Sequence, residues 1–249
     1  MGNIDNILNG HIFIAGPCSI ESREHIFKMA KLVKQSGANV LRGGAFKPRT
    51  SPDSFQGLGK EAIDYLVEAK HKFDIPIITE IVDQRYLDLY DEVDIIQVGA
   101  RNMQNFELLK ALSKTDKPIL LKRNMGATIG EMISASDYLR ANGNDKILLC
   151  ERGIRTFENA TRYTFDVNAV AVLKEKTNLK VIVDPSHATG ISDYVKSAAL
   201  AGVAAGCDGL MIEVHDNPEQ ALTDKDQAIS PQQLEEIIVK SKQIYDVLK

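Results

Sequence analysis

Val40-Leu41-Arg42-Gly43-Gly44-Ala45-Phe46-Lys47-Pro48-Arg49-Thr50 begins as the end of an apolar strand and breaks into a polar loop. Three cations (Arg42, Lys47, Arg49) and one hydroxyl fall within nine residues. The paired glycines let the backbone turn and come close to a ligand, and Pro48 stiffens the loop. Such a loop suits a phosphate, because guanidinium forks bind it bidentately and a lysine adds a point charge. It would equally serve as a solvated turn. The choice depends on whether the same unit, an apolar run ending in polar residues, recurs.

It recurs along the whole chain. Apolar runs lie at His11–Ala15, Asn39–Leu41, Ile75–Thr79, Asp94–Val98, Pro118–Leu121, Lys146–Leu149, Lys180–Val183 and Gly209–Ile212. Most lack polar alternation, as strands buried on both faces do. Between them the period becomes helical. The predicted apolar faces are Ile26, Met29, Ala30 and Val33; Ile63, Leu66 and Val67; Tyr86, Leu89 and Tyr90; Leu108, Ala111 and Leu112; Met132, Ser136 and Leu139; Tyr163, Val167, Val170 and Ala171; and Val195, Ala198, Ala199 and Gly202. The last helix opens on a capping box, with Ser230 as cap, Pro231 first and Gln233 third, and carries Leu234, Ile237, Ile238 and Leu248. Eight strand–helix units predict an α/β fold, a (β/α)8 TIM barrel. An open doubly wound sheet is the alternative, and no G-x-G-x-x-G loop supports it.

Composition agrees with one barrel of 249 residues. Hydrophobic content of 44% and charged content of 26% are ordinary for a globular domain. A net charge of −4 argues against nucleic acid as a partner. Cys18, Cys150 and Cys207 are too few and too scattered for a disulfide framework, which suits a reducing cytoplasm. No signal pattern or membrane-length apolar run is present.

Active sites of such barrels lie at the C-terminal ends of the strands. There the sequence places Gly16-Pro17-Cys18-Ser19, Arg42, Glu80, Gly99-Ala100-Arg101-Asn102, Lys122-Arg123-Asn124, Glu151-Arg152-Gly153, Asp184-Pro185-Ser186-His187 and Glu213-Val214-His215, with Asp224 beyond. The strand starts carry little but turn residues, and this asymmetry marks an active site. One set is cationic: Arg42, Lys47, Arg49, Arg101, Lys122 and Arg152. Each alone could be a surface cation or an ion-pair partner of Glu80, Glu151 or Asp184. Six at one mouth imply two anionic substrates or one with several anionic groups. The second set is Cys18, His187, Glu213 and Asp224, a mixed hard and soft donor set suited to a divalent transition metal. A buried hydrophobe is the rival reading of Cys18, and a turn histidine that of His187. His215 reads as a supporting residue, Cys150 and Cys207 as core, and His11, His25 and His71 as solvent-facing or strand-start residues.

These residues form motifs: GPCS at 16–19, RGGAFKPRTSP at 42–52, GARNMQN at 99–105, LKRNMG at 121–126, CERGIRT at 150–156, DPSHATG at 184–190 and IEVH at 212–215. In them the chain resembles the 3-deoxy-D-arabino-heptulosonate 7-phosphate (DAHP) synthases, of the short barrel type related to the 3-deoxy-manno-octulosonate 8-phosphate synthases. The resemblance implies a transferase of the shikimate pathway, leading to chorismate and the aromatic amino acids. It would condense phosphoenolpyruvate with erythrose 4-phosphate and release phosphate. By similarity Cys18, His187, Glu213 and Asp224 would hold one divalent metal ion. Arg42 and Lys122 would meet the phosphoenolpyruvate carboxylate, and Ala100, Arg101 and Arg152 its phosphate. Lys47, Pro48, Arg49 and Thr50 would grip erythrose 4-phosphate, with Asp184 near its hydroxyls and Glu80 orienting cations.

The sister octulosonate enzymes, which use arabinose 5-phosphate, are the main alternative. They typically carry Lys-Ala-Asn-Arg-Ser where this chain has Lys47-Pro48-Arg49-Thr50-Ser51, and Pro-Ala-Phe where it has Gly99-Ala100-Arg101. The segment Thr223-Asp224-Lys225-Asp226-Gln227 departs from the family's Ser-Asp-Gly-Pro-Gln and leaves Asp226 as a rival to Asp224. The sequence 1–249 reads as a single catalytic domain with no room for an appended regulatory domain. Insensitivity to aromatic effectors is therefore expected, unless a separate chorismate mutase binds. Relatives suggest a homodimer or homotetramer.

In the expected chemistry, C3 of phosphoenolpyruvate attacks the aldehyde, water adds at C2, and phosphate leaves. The metal would act as a Lewis acid. Lys122, among cations, is the candidate general acid, and positioning of two mutually repelling anions is a main source of rate. A Schiff-base aldolase using Lys122 is a second enzymatic reading. A non-catalytic anion-binding barrel acting as sensor or scaffold is a reading of a different class.

Overall fold

The computed structural model describes residues 4–47, 53 and 55–248. Eight parallel strands close on themselves in sequence order: β1 Ile12–Gly16, β2 Val40–Arg42, β3 Ile77–Ile81, β4 Ile95–Val98, β5 Ile119–Lys122, β6 Ile147–Glu151, β7 Lys180–Val183 and β8 Gly209–Glu213. The predicted (β/α)8 barrel is the observed fold. β8 pairs with β1 from Ile12↔Gly209 to Gly16↔Glu213. Helices α2 (Arg23–Gln35), α3 (Lys60–Phe73), α4 (Phe106–Leu112), α5 (Ile129–Arg140), α6 (Asn168–Lys176), α7 (Pro185–Thr189), α8 (Ser192–Ala204) and α9 (Pro231–Val247) follow the strands. A short helix, α1 (Ile4–Leu8), precedes β1.

The strands' period of two divides the core. Ile12, Ile14, Val40, Ile78, Ile95, Leu120, Leu148, Cys150, Ile182 and Met211 face inward and fill the barrel, with Ile4, Ile7 and Leu8 of α1 packed against them. Phe13, Ala15, Leu41, Ile77, Ile96, Leu121, Val181 and Leu210 face the helices. The four predicted residues of α2, Ile26, Met29, Ala30 and Val33, are fully buried. Both halves of the Ser230 capping box form, with Pro231 at the first turn of α9.

Three helical expectations need correction. The Tyr86–Leu89–Tyr90 stripe lies on a 3-10 helix, Gln84–Tyr90, rather than an α-helix, and within it Tyr90 is buried. Tyr163 and Val167 precede α6, whose buried face is Ala169, Val170 and Leu173. The segment before α6 is pinned instead by an antiparallel bridge, Ile154↔Thr164. Leu248 lies just beyond α9 and is 54% exposed.

Candidate active site

The same period of two builds the site. Two residues on from inward-facing Val40, Ile78, Ile95, Leu120, Ile182 and Met211 come Arg42, Glu80, Gln97, Lys122, Asp184 and Glu213. Cys150 is followed in the same way by Arg152, and Ile14 leads through Gly16 to Cys18. Side chains that continue the inner stacks therefore become polar at one end of the barrel. Arg123 and Glu151 fall on the opposite parity. They pair with each other at 2.9 Å, Arg123 also binds Asp166 at 2.8 Å, and both are spent on structure.

One ligand atom from each of Cys18, His187, Glu213 and Asp224 lies within 4.8 Å of the others. Cys18 Sγ donates to Asp224 Oδ2 at 2.9 Å and accepts from Lys47 Nζ at 2.9 Å. His187 Nε2 lies 3.4 Å from Glu213 Oε1, and Arg42 Nη1 donates to that oxygen at 2.8 Å. Asp226 is exposed, whereas Asp224 is the aspartate that meets the other three. Asp224 is a non-glycine residue at positive φ (50°), a conformation tolerated by aspartate. Gly44 permits the close packing here: a Cβ on it would lie 2.3 Å from the Cys18 carbonyl oxygen.

These four residues fit a divalent metal. Three of them can carry negative charge in a buried site, which favours a bound cation. Asp184 Oδ2 lies 2.7 Å from His187 Nδ1 and holds the proton there, which leaves Nε2 bare toward Glu213. Burial, reinforced by Glu213 and Asp224, pushes the Cys18 thiol up to about 12, with Lys47 opposing. Burial raises the carboxyl groups, but His187 and the nearby cations outweigh it. They hold Asp184 well below the usual carboxylate range and lower Glu213 and Asp224 as well. Burial also lowers His187, more than Asp184 and Glu213 raise it. A donor set of imidazole, carboxylates and an ionisable thiol is therefore assembled with the imidazole neutral.

Beside this quartet is a cavity of about 160 Å³ lined by Lys47, Glu80, Ala100, Arg101, Lys122, Arg152, Arg162, Tyr163, His187 and Asp224. The expected cations do not simply face one another. Arg42 is paired with Glu213, and Lys122 Nζ donates to Asp184 Oδ2 at 2.5 Å, so its nearest neighbour is an anion rather than a cation. Arg152 differs. Its Nε and Nη1 are buried with no hydrogen-bond partner among the described residues, and its guanidinium lies 4.3 Å above the Tyr163 ring. Glu80 accepts from Gln97 Nε2 at 3.0 Å. Pro48, Arg49 and Thr50 lie outside the described residues.

One expectation about the histidines changes. His71 pairs with Glu92 at the surface, as expected. His25 is not solvent-facing: its side chain is 11% exposed and packs on His215, with ring centroids 4.4 Å apart. Glu21, His25 and His215 resemble a second metal triad. However, His215 Nδ1 accepts from the Asn217 N–H at 3.0 Å, so the neutral ring carries its proton on Nε2, the nitrogen nearest Glu21. That tautomer donates instead of ligating. Arg162, Tyr163, Gln97 and Gln227 adjoin the site, and none of them was read as a site residue in the sequence. Arg162 and Tyr163 lie deep in a loop, and Gln227 follows Asp224 by three positions, so no strand-end signal marks these three.

Residues 6–249 match the family described as DAHP synthetase I. The chain is 46% identical over 242 residues to the phospho-2-dehydro-3-deoxyheptonate aldolase of Thermotoga maritima, covering 96% of this chain and 72% of that one. The crystal structure of that Thermotoga enzyme superposes with a TM-score of 0.91 over 96% of this chain and 71% of its own. A truncated form of the Thermotoga synthase gives 0.88 at 40% identity, over 96% and 87%. A 2-dehydro-3-deoxyphosphooctonate aldolase from Desulfotalea psychrophila is 31% identical over 248 residues, covering 92% of this chain and 88% of that one. No helix among the described residues is long and apolar enough to cross a membrane. By its family match and its likeness to the Thermotoga enzyme, the chain belongs to the DAHP synthetase I family.

Proposed function

We propose that this barrel mouth joins phosphoenolpyruvate to erythrose 4-phosphate, giving DAHP and inorganic phosphate. The chain is an enzyme, a transferase of the 3-deoxy-7-phosphoheptulonate synthase type, acting at the first step of the shikimate pathway. The observation that carries the site reading is Arg152. Its two buried nitrogens, unpartnered among the described residues, lie beside the same cavity as the Cys18–His187–Glu213–Asp224 quartet. Burying such donors without a partner is unfavourable, and a phosphate oxygen would satisfy them.

In this reading Arg152, Arg101 and the Ala100 N–H hold the phosphoenolpyruvate phosphate, while Arg42 and Lys122 hold its carboxylate. Lys47, with Pro48, Arg49 and Thr50, receives the aldose phosphate. A divalent ion held by the quartet supplies Lewis acidity toward the aldehyde. C3 of phosphoenolpyruvate forms the new bond to the aldehyde carbon, and Lys122 Nζ delivers the proton to its oxygen. Water adds at C2, and the C2–O bond to phosphate breaks. Asp184 keeps the proton on His187 Nδ1 and fixes the position of Lys122. Glu80 balances Lys47. The geometry favours Lys122 as a proton donor over a Schiff-base nucleophile, because its Nζ is tied to Asp184.

Three buried free thiols support a reducing, cytoplasmic setting. Phe157, 98% exposed on the loop after β6, supports assembly with a second copy as a dimer or tetramer. A separate chorismate mutase remains a proposed partner. The deciding assay is phosphate release from phosphoenolpyruvate with erythrose 4-phosphate or arabinose 5-phosphate, with added divalent metal. Turnover with erythrose 4-phosphate is expected. Preference for arabinose 5-phosphate would assign the octulosonate reaction, and phosphoenolpyruvate binding without turnover would favour a sensor or scaffold.

A further inference from the structure

The two carboxylates of the quartet each divide their oxygens in the same way. Asp224 turns Oδ2 toward Cys18 Sγ and Oδ1 toward Arg162 Nη1, at 3.2 Å. Glu213 turns Oε1 toward His187 and Arg42, and Oε2 toward Gln227 Nε2, at 2.5 Å. Arg162 Nη1 then donates to Gln227 Oε1 at 2.8 Å. The outward oxygens of Asp224 and Glu213 are thus joined through Arg162 and Gln227. Gln227 is buried, with 2% of its surface exposed, so its amide has no water to exchange partners with.

The fold delivers Arg162 from far along the chain. The loop after β6 is closed by the Ile154↔Thr164 bridge. It is stitched to α7, the helix carrying His187, by Arg162 N–H to the Thr189 carbonyl (2.9 Å) and Tyr163 N–H to the Ala188 carbonyl (3.0 Å). One short segment therefore puts Tyr163 beneath Arg152 and Arg162 behind Asp224.

We propose that Arg162, acting with Gln227, is a positioning residue that fixes which oxygen of Asp224 and of Glu213 faces the metal. This rests on the reading of the quartet as a metal site. A guanidinium beside a ligand carboxylate has two opposed effects. As a cation it competes with the metal for Asp224. As a fixed donor on the outward oxygen it holds the inward one in place, and outer partners of this kind typically change metal affinity by about 10–100-fold. The division of oxygens in both carboxylates assigns the second effect to Arg162.

The test is titration of the metal-free protein with Co²⁺, followed by the thiolate-to-cobalt charge-transfer band and the ligand-field bands. Arg162→Met and Gln227→Met should each weaken Co²⁺ binding by about 10–100-fold and alter the ligand-field bands. The double variant should be no worse than the weaker single one, since both act through one linkage. Arg162→Lys should recover part of the loss. Arg162 also borders the substrate cavity and lies 5.9 Å from the Tyr163 ring that underlies Arg152, so phosphoenolpyruvate affinity, followed by calorimetry, should fall less than Co²⁺ affinity does. Unchanged or tighter Co²⁺ binding in Arg162→Met would overturn the proposal. So would weakened phosphoenolpyruvate binding with intact Co²⁺ affinity, which would make Arg162 a substrate contact. A wild-type chain that takes up no Co²⁺ would overturn the metal reading as well. Arg162 is 37% exposed, so Arg162→Met decides the matter alone if the Gln227 variant fails to fold.

Discussion

Asp184 receives the Nδ1 proton of His187 across 2.7 Å, and this contact decides which face of the imidazole is basic. The opposite nitrogen is left bare, 3.4 Å from Glu213. The same carboxylate oxygen takes a hydrogen bond from Lys122 at 2.5 Å. One oxygen thus sets the tautomer of a candidate metal ligand and the position of the candidate acid.

Asp184→Asn keeps the size of this group and removes its charge. Metal affinity should fall by about 10–100-fold, the usual effect of losing an outer carboxylate. At saturating metal, turnover should stay low because Lys122 has lost its anchor. Cobalt titration and phosphate release measure the two effects separately. Wild-type metal affinity in Asp184→Asn would contradict the assignment.

Chelation should abolish phosphate release, and added divalent metal should restore it. Cys18→Ala should behave as the chelated protein and resist rescue. The pH dependence follows from the thiol. Cys18 lies near 12 in the metal-free fold, so binding must expel its proton at neutral pH. Apparent affinity should rise about tenfold per pH unit through the range from 7 to 9. A pH-indicator dye should register the released proton on titration, and affinity independent of pH would exclude the thiol as ligand.

Arg152→Lys retains charge and loses the fork. Hydrogen bonds to charged groups contribute about 1.5–3 kcal/mol, so phosphoenolpyruvate affinity should drop by about 10–100-fold. Metal affinity should hold, because Arg152 makes no contact with the quartet. Calorimetry against phosphoenolpyruvate and against metal checks both expectations.

Away from the site, burial pushes the Cys207 thiol from 9.0 up to about 11, while the nearby Tyr245 hydroxyl lowers it slightly. The sign is that of a raised folded-state value. The contribution is complete below pH 9 and is lost as pH rises through 11, because the unfolded chain ionises first. That difference is worth roughly 3 kcal/mol. Urea midpoints of wild type and Cys207→Ala, measured from pH 7 to 11, should converge with rising pH by an amount of that order. Parallel curves would show that the thiol is not held neutral.

Much of this was legible in the sequence because barrel strands impose two regular signals. Apolar runs gave the strands, and the polar residues that end each run, Lys122 after Leu121 and Glu213 after Ile212, marked the site. What was not legible depends on distant contacts. Lys122 looked like one cation among cations, whereas Asp184, 62 residues away, is its neighbour. Tyr163 fitted a helical stripe, yet the ring sits under Arg152 in a loop. Arg162 and Gln227 are 65 residues apart and occupy no strand end, so nothing local connects them. His25 looked exposed until His215 was placed against it.

The quartet also straddles the seam where β8 seals against β1. Cys18 and Asp224 stand 206 residues apart, so they can meet only after β8 has been made and paired with β1. Metal uptake by the quartet would therefore report a closed barrel: a nascent or truncated chain lacking β8 holds the thiol without its carboxylates. An ion held by the quartet would stabilise only the closed ring, and would so act as a clasp on the barrel as well as a reagent within it.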